Sequence, residues 1–143
     1  MLGDAESAEF EWTPDLSVGI RRIDDQHQEL FHAINDFLRA LAAGRNEKVA
    51  EIVGFLEKYA EEHFAEEEKY MEKYKYPLAD FKIHEDQHTV FWEQFNDIKA
   101  DYIENGFTPG LEKKLETHVC AWLKNHVMEI DMKLGDFLKD RMK

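Results

Sequence analysis

Cysteine is nearly absent from this 143-residue chain: the single Cys120 excludes an internal disulfide framework and any Cys-x-x-Cys metal knot. Proline and glycine are scarce too, three and seven residues, so few positions can interrupt a helix. No apolar run approaches the ~18 residues that a membrane span requires. Positive charge is short: 18 Lys and Arg face 31 Asp and Glu, a formal net charge of −13. A chain this acidic lacks the basic face that phosphate contacts need, which argues against nucleic-acid and anionic-membrane binding. Residues 1–10 show neither the basic start nor the apolar centre of a secretory signal. The expectation is a soluble, cytoplasmic chain forming a single domain over 1–143, long enough to bury a core without staples.

What breaks there are fall in three places: Gly44-Arg45-Asn46, Tyr76-Pro77 and Gly106-Phe107-Thr108-Pro109-Gly110. Thr108 followed by Pro109 reads as an N-cap with proline in the first turn. Between the breaks lie segments of roughly 20–30 residues, each with an apolar stripe at three-and-four spacing. The stripes run Ile23, His27, Leu30, Ile34, Leu38, Leu41; then Val49, Ile52/Val53, Leu56, Ala60, His63, Glu67, Tyr70, Tyr74. The third is Phe81, His84, His88, Phe91, Phe95, Ile98, Tyr102, and the fourth Leu115, Val119, Trp122, His126, Ile130, Leu134, Phe137. Nothing alternates at period two. The expected fold is all-α, an up-down-up-down four-helix bundle over about 23–140 behind an N-terminal arm, 1–22.

Each stripe is apolar except at one place, where histidine or a carboxylate stands. Glu67 is informative because its neighbours Glu66 and Glu68 leave the line and it does not. A glutamate aimed into a core is costly unless paired or metal-bound. His63/Glu67 and His84/His88 have the i,i+4 spacing that projects two ligands from one helix face. In an antiparallel bundle, residues equidistant from a loop lie at one height. The midpoint of His27 and His63 is residue 45, in the first break. The centres of His63/Glu67 and His84/His88 have their midpoint beside Tyr76-Pro77, and the step on to His126/Asp131 is centred in the third break. All these polar residues therefore fall at one level, which scattered core histidines have no reason to do.

Asp131 lies five residues after His126, about 140° around an ideal helix. Either it faces solvent or a local π-turn carries both inward. The stripe supports the second reading, since after His126 it continues as Val127, Asp131, Leu134 and Leu138; a widened turn is expected there. His32 falls off its stripe and reads as an exposed or rim residue. His118 is ~12 Å of helix from His126, too far to share its ion. Cys120 reads as a small, partly buried thiol. Five histidines and two carboxylates are too many for one ion, whereas two ions sharing both carboxylates fit the count, with one position left open. Imidazole and carboxylate together suit iron, zinc, copper or nickel.

At this point the sequence resembles the hemerythrins, specifically the bacterial ones. The likeness runs from Trp12 to Asp131 through Trp12-Thr13, Ser17-Val18-Gly19-Ile20, Ile23-Asp24-Asp25-Gln26-His27, His63-Phe64 with Glu67-Glu68, Tyr76-Pro77, His84-x3-His88 and Trp122-Leu123-x2-His126-x4-Asp131. It implies a bundle around two non-haem iron ions with an oxo or hydroxo bridge, binding O2 reversibly for transport, storage or delivery rather than catalysis. It implies His84, His88 and His126 on the saturated iron, His27 and His63 on the open one, and Glu67 and Asp131 bridging. The implied oxygen pocket is Leu30, Phe64, Trp122, Leu123, Val127 and Ile130. Dioxygen is the implied ligand, and a redox or O2-consuming protein is the kind of partner allowed.

Two other classes compete. A ferritin-like di-iron oxidase would use more carboxylates and two Glu-x-x-His motifs. Glu29-x2-His32 and Glu85-x2-His88 have that spacing, but the first lies off the core stripe and Glu85 on the polar side. An oxygen or redox sensor would pass a helix shift to a fused or separate partner, and no output segment shows in the sequence.

Overall fold

The computed structural model describes residues 11–142; the first ten residues of the expected arm lie outside them. Four helices follow one another: α1 (Arg21–Ala42), α2 (Asn46–Lys73), α3 (Leu78–Asn105) and α4, residues 109–141. No strand occurs among the described residues, and no helix there is long and apolar enough to cross a membrane. Short connections leave neighbours antiparallel, so the chain forms the expected up-down-up-down bundle, α1 lying along α2 and α3 along α4. The breaks sit where the sequence placed them. Gly106 ends α3 at φ 72°, a left-handed conformation that suits glycine, and its N–H donates to Tyr102 O at 2.8 Å. Thr108 then caps α4, its Oγ1 accepting from Leu111 N–H at 3.1 Å with Pro109 in the first turn.

The arm is part of the core. After a 3-10 turn at Pro14–Leu16, the side chains of Leu16, Val18 and Ile20 are buried. Asp24 in the first turn of α1 ties this segment down, accepting from Val18 N–H at 2.8 Å and from Ser17 Oγ–H at 2.5 Å. Opposite it, Gly135 of α4 leaves room for the Val18 backbone.

The face of α4 differs from the expected one. Trp122, Ile130 and Phe137 are half-buried, while Leu123, Val127 and Asp131 point inward. The inward row is Leu111, Leu115, Val119, Leu123, Val127, Asp131, Gly135, spaced by four throughout. On a plain α-helix such a row would drift about 40° per step and spiral off the core. Two π-helical stretches, Glu116–Ala121 and Val127–Asp131, underwind α4 and keep the row facing inward. The second is the widened turn expected after His126; the first was not expected. On α2 the line passes from Glu67 to Met71, fully buried, and leaves Tyr70 and Tyr74 half-buried at the edge, where amphipathic rings commonly settle.

Candidate metal centre

Each helix delivers its polar residues to the middle of the bundle. α1 supplies His27, α2 supplies His63 and Glu67, α3 supplies His84 and His88, and α4 supplies His126 and Asp131. All seven are at most 3% exposed. The i,i+4 pairs on α2 and α3 face inward without distortion. On α4 the π-turn takes up the fifth residue, so that His126 Nε2 and Asp131 Oδ1 stand 3.0 Å apart.

Short contacts run through the cluster. His27 Nε2 lies 3.0 Å from Asp131 Oδ2, and His84 Nε2 3.1 Å from Asp131 Oδ1. Glu67 Oε1 is 3.1 Å from His88 Nε2, 3.4 Å from His84 Nε2 and 3.5 Å from His63 Nε2. Several are not hydrogen bonds: among the described residues His27 Nε2, His126 Nε2 and both Asp131 oxygens lack an aligned partner, as does Glu67 Oε2. Buried polar atoms left like this are costly unless something else satisfies them. Neighbouring ligands at ~2.1 Å from one ion in octahedral geometry stand about 3.0 Å apart, the spacing of the shortest of these contacts. The donor set thus fits metal. The donors form two groups, Glu67, His84, His88, His126, Asp131 and His27, His63, Glu67, Asp131, with donor atoms in each mutually within 4.8 Å. Both carboxylates belong to both groups.

Across residues 18–138 the sequence matches the family model of the hemerythrin HHE cation binding domain. The chain belongs to the hemerythrin family. Hemerythrins are di-iron oxygen-binding proteins. It is 30% identical to a bacteriohemerythrin of Clostridium acetobutylicum, over 89% of this chain and 99% of that protein. It is 31% identical to a bacteriohemerythrin of Pseudomonas aeruginosa, over 94% of this chain and 85% of the other. A myohemerythrin of Theromyzon tessulatum is 27% identical over 87% and 89%.

Of the residues tied to an oxygen pocket, Leu30, Phe64 and Leu123 line a small apolar cavity beside the hemerythrin cluster. Val127 is fully buried, while Trp122 and Ile130 are half-buried. Trp122 stacks on His126 with centroids 4.7 Å apart, and Phe64 on His88 at 3.8 Å. Both rings therefore brace imidazoles. His32 is exposed beside Asp36, and burial pushes the half-buried Cys120 thiol up to about 12, well out of the reactive range. Two residues that the sequence did not single out reach the cluster from outside, Gln26 to His63 and Glu68 to His88. Both stand in motifs that carry the family resemblance, but neither interrupts an apolar stripe, so only helix packing shows what they touch.

Without metal the cluster is a set of competing charges. Burial drives His63 down to about 4. Burial pulls His84 the same way, but the Asp131 and Glu67 carboxylates close to its Nε2 outweigh it and raise His84 to about 10. For Glu67, burial and Asp131 push upward, yet His63, His84 and His88 prevail and bring it to about 2. Between pH 4 and 6.5 the unfolded chain binds the extra proton at His63, and between 2 and 4.5 at Glu67, so stability falls as pH drops. Between 6.5 and 10 the folded chain holds the extra proton, at His84, so stability falls as pH rises. The metal-free chain is expected to be most stable near pH 6.5. Thermal unfolding in a chelator across the pH range measures this; a midpoint climbing steadily to pH 9 would contradict it.

Proposed function

We propose that this hemerythrin binds O2 reversibly at two non-haem irons and acts as an oxygen carrier or store. The reading is carried by the five-donor and four-donor groups that share Glu67 and Asp131. On it, His84, His88 and His126 hold the saturated iron, His27 and His63 the iron with an open position, and Glu67 and Asp131 bridge them. Bound iron would supply the two electrons that reversible O2 binding requires. The protein's part is to exclude everything else. The cavity beside the cluster is walled by Leu30, Ile34, Phe64, Leu123 and other apolar residues, with no titratable side chain among them. Nothing there can deliver a proton or attack a bound ligand, which favours release over turnover. Metal analysis followed by anaerobic reduction and O2 titration, watched by visible absorption, tests the reading. One O2 taken up and released per two irons is expected; consumption without release would replace the carrier with an oxidase.

Leu123 and Val127, 3% and 0% exposed, close the pocket from α4 in this reading. Truncating either opens space that water can enter, so Leu123→Ala and Val127→Ala are expected to speed conversion of the reduced protein to the ferric form. Autoxidation rates followed after O2 loading decide it, and unchanged rates in both variants would remove these residues from the pocket.

A further inference from the structure

Gln26 immediately precedes His27 on α1, and its side chain is turned toward α2 rather than to solvent. It is 7% exposed, and its Oε1 accepts a hydrogen bond from His63 Nδ1 at 2.7 Å. With the proton at Nδ1, the lone pair of His63 sits on Nε2, the nitrogen that faces Glu67. The other half of the cluster has a different device. His88 Nδ1 faces Glu68 Oε2 at 3.4 Å, a carboxylate that is partly exposed. Among the described residues, His27, His84 and His126 have no hydrogen-bond partner at Nδ1. Among the described residues each donor group therefore has one imidazole that donates an outer hydrogen bond, to a neutral amide in the four-donor group and to an anion in the five-donor group.

We propose that Gln26 is a positioning residue that locks His63 onto the open iron and, being neutral, keeps that iron the easier of the two to hold reduced. The inference rests on the di-iron reading above. An outer carboxylate raises the electron donation of a ligating imidazole and favours the higher oxidation state; an amide orients the ring with little of that push. The asymmetry suits a centre that must accept O2 at one ion while the other stays coordinatively full.

Gln26 also lines a polar cleft between α1 and α2 with Arg22, Glu29, Tyr59 and Glu66, so a carboxylate can replace the amide with water at hand. Four proteins are compared: the wild type, Gln26→Glu, Gln26→Leu and Gln26→Asn. Iron per chain is measured against increasing ferrous chelator, together with the midpoint reduction potential. The wild type is expected to hold two irons. Gln26→Leu should release one of them at roughly 10–100-fold lower chelator, the usual effect of removing an outer partner. Gln26→Asn, too short to reach His63, should follow it. Gln26→Glu restores the acceptor and should keep both irons, at a lower midpoint potential than the wild type. A structural role alone would give neither that rescue nor the shift in potential. If the wild type holds two irons and Gln26→Leu resists chelator equally well, or Gln26→Glu has the wild-type potential, the role of Gln26 is overturned while the di-iron reading stands. A wild type that binds no iron overturns both.

Discussion

Asp131→Ala is expected to strip the chain of both metal ions, not of one. The carboxylate belongs to both donor groups, with Oδ2 3.0 Å from His27 Nε2 and Oδ1 3.0–3.1 Å from His126 and His84 Nε2. Burial pushes its carboxyl up, but the imidazoles of His126, His27 and His84 outweigh burial and hold it well below the usual range. The loss of iron affinity should exceed the 10–100-fold typical of an outer partner. The metal-free protein suffers as well: removing one member of a buried charged cluster costs about 3–5 kcal/mol, because His27 and His126 lose their carboxylate and His84 keeps only Glu67, at 3.4 Å. Glu129→Ala, two residues away and exposed, is the control and should do neither. Iron per chain and thermal unfolding in a chelator are the measurements, and two irons retained by Asp131→Ala would end the bridging assignment.

The second large effect lies far from the metal chemistry. In Gly135→Ala the new Cβ would meet the Val18 carbonyl oxygen at 2.1 Å and Val18 Cβ at 2.8 Å, distances no packed interior sustains. The arm cannot yield locally, since Val18 is 1% exposed and its N–H is bound to Asp24. Either α4 or the whole Leu16–Ile20 segment must lift. Overpacking of this kind costs about 1–3 kcal/mol and occasionally more, or roughly 2–4 °C of unfolding midpoint per kcal/mol. Gly54→Ala is the opposite case: Gly54 is in the interior of α2, with nothing within 4 Å of an added Cβ. That substitution should stabilise by about 0.5–1 kcal/mol through helix propensity. Equal midpoints for the two variants would show that the arm is not docked against Gly135.

Much of the centre is legible in the sequence because its geometry is nearly one-dimensional. Residues at equal distance from a tight loop share a level, and a lone carboxylate on an apolar stripe has few reasons to be there. Those two arguments bring His27, His63, Glu67, His84 and His88 together, as the structure does. Asp131 needed a third, the slip of register after His126. A regular helix assumed up to His126 misplaces Trp122, and a stripe carried straight through the widened turn misplaces Ile130. The four-residue spacing of Leu111, Leu115, Val119, Leu123 and Val127 carried the underwinding in plain sight, and a three-and-four template does not register it.

Taken alone, the amino-acid order determined how many helices form, where each reverses, and which depth in the bundle collects imidazole and carboxylate. These are consequences of periodicity and of turn residues, which act over a few positions of the chain. Tertiary packing decided the rest: the π-turns that aim α4, the docking of Val18 over Gly135, and the bond from Gln26 to His63, 37 residues away. Such contacts depend on how far one helix is rolled against the next. That roll is set by the fit of whole apolar faces, to which no single position or spacing corresponds.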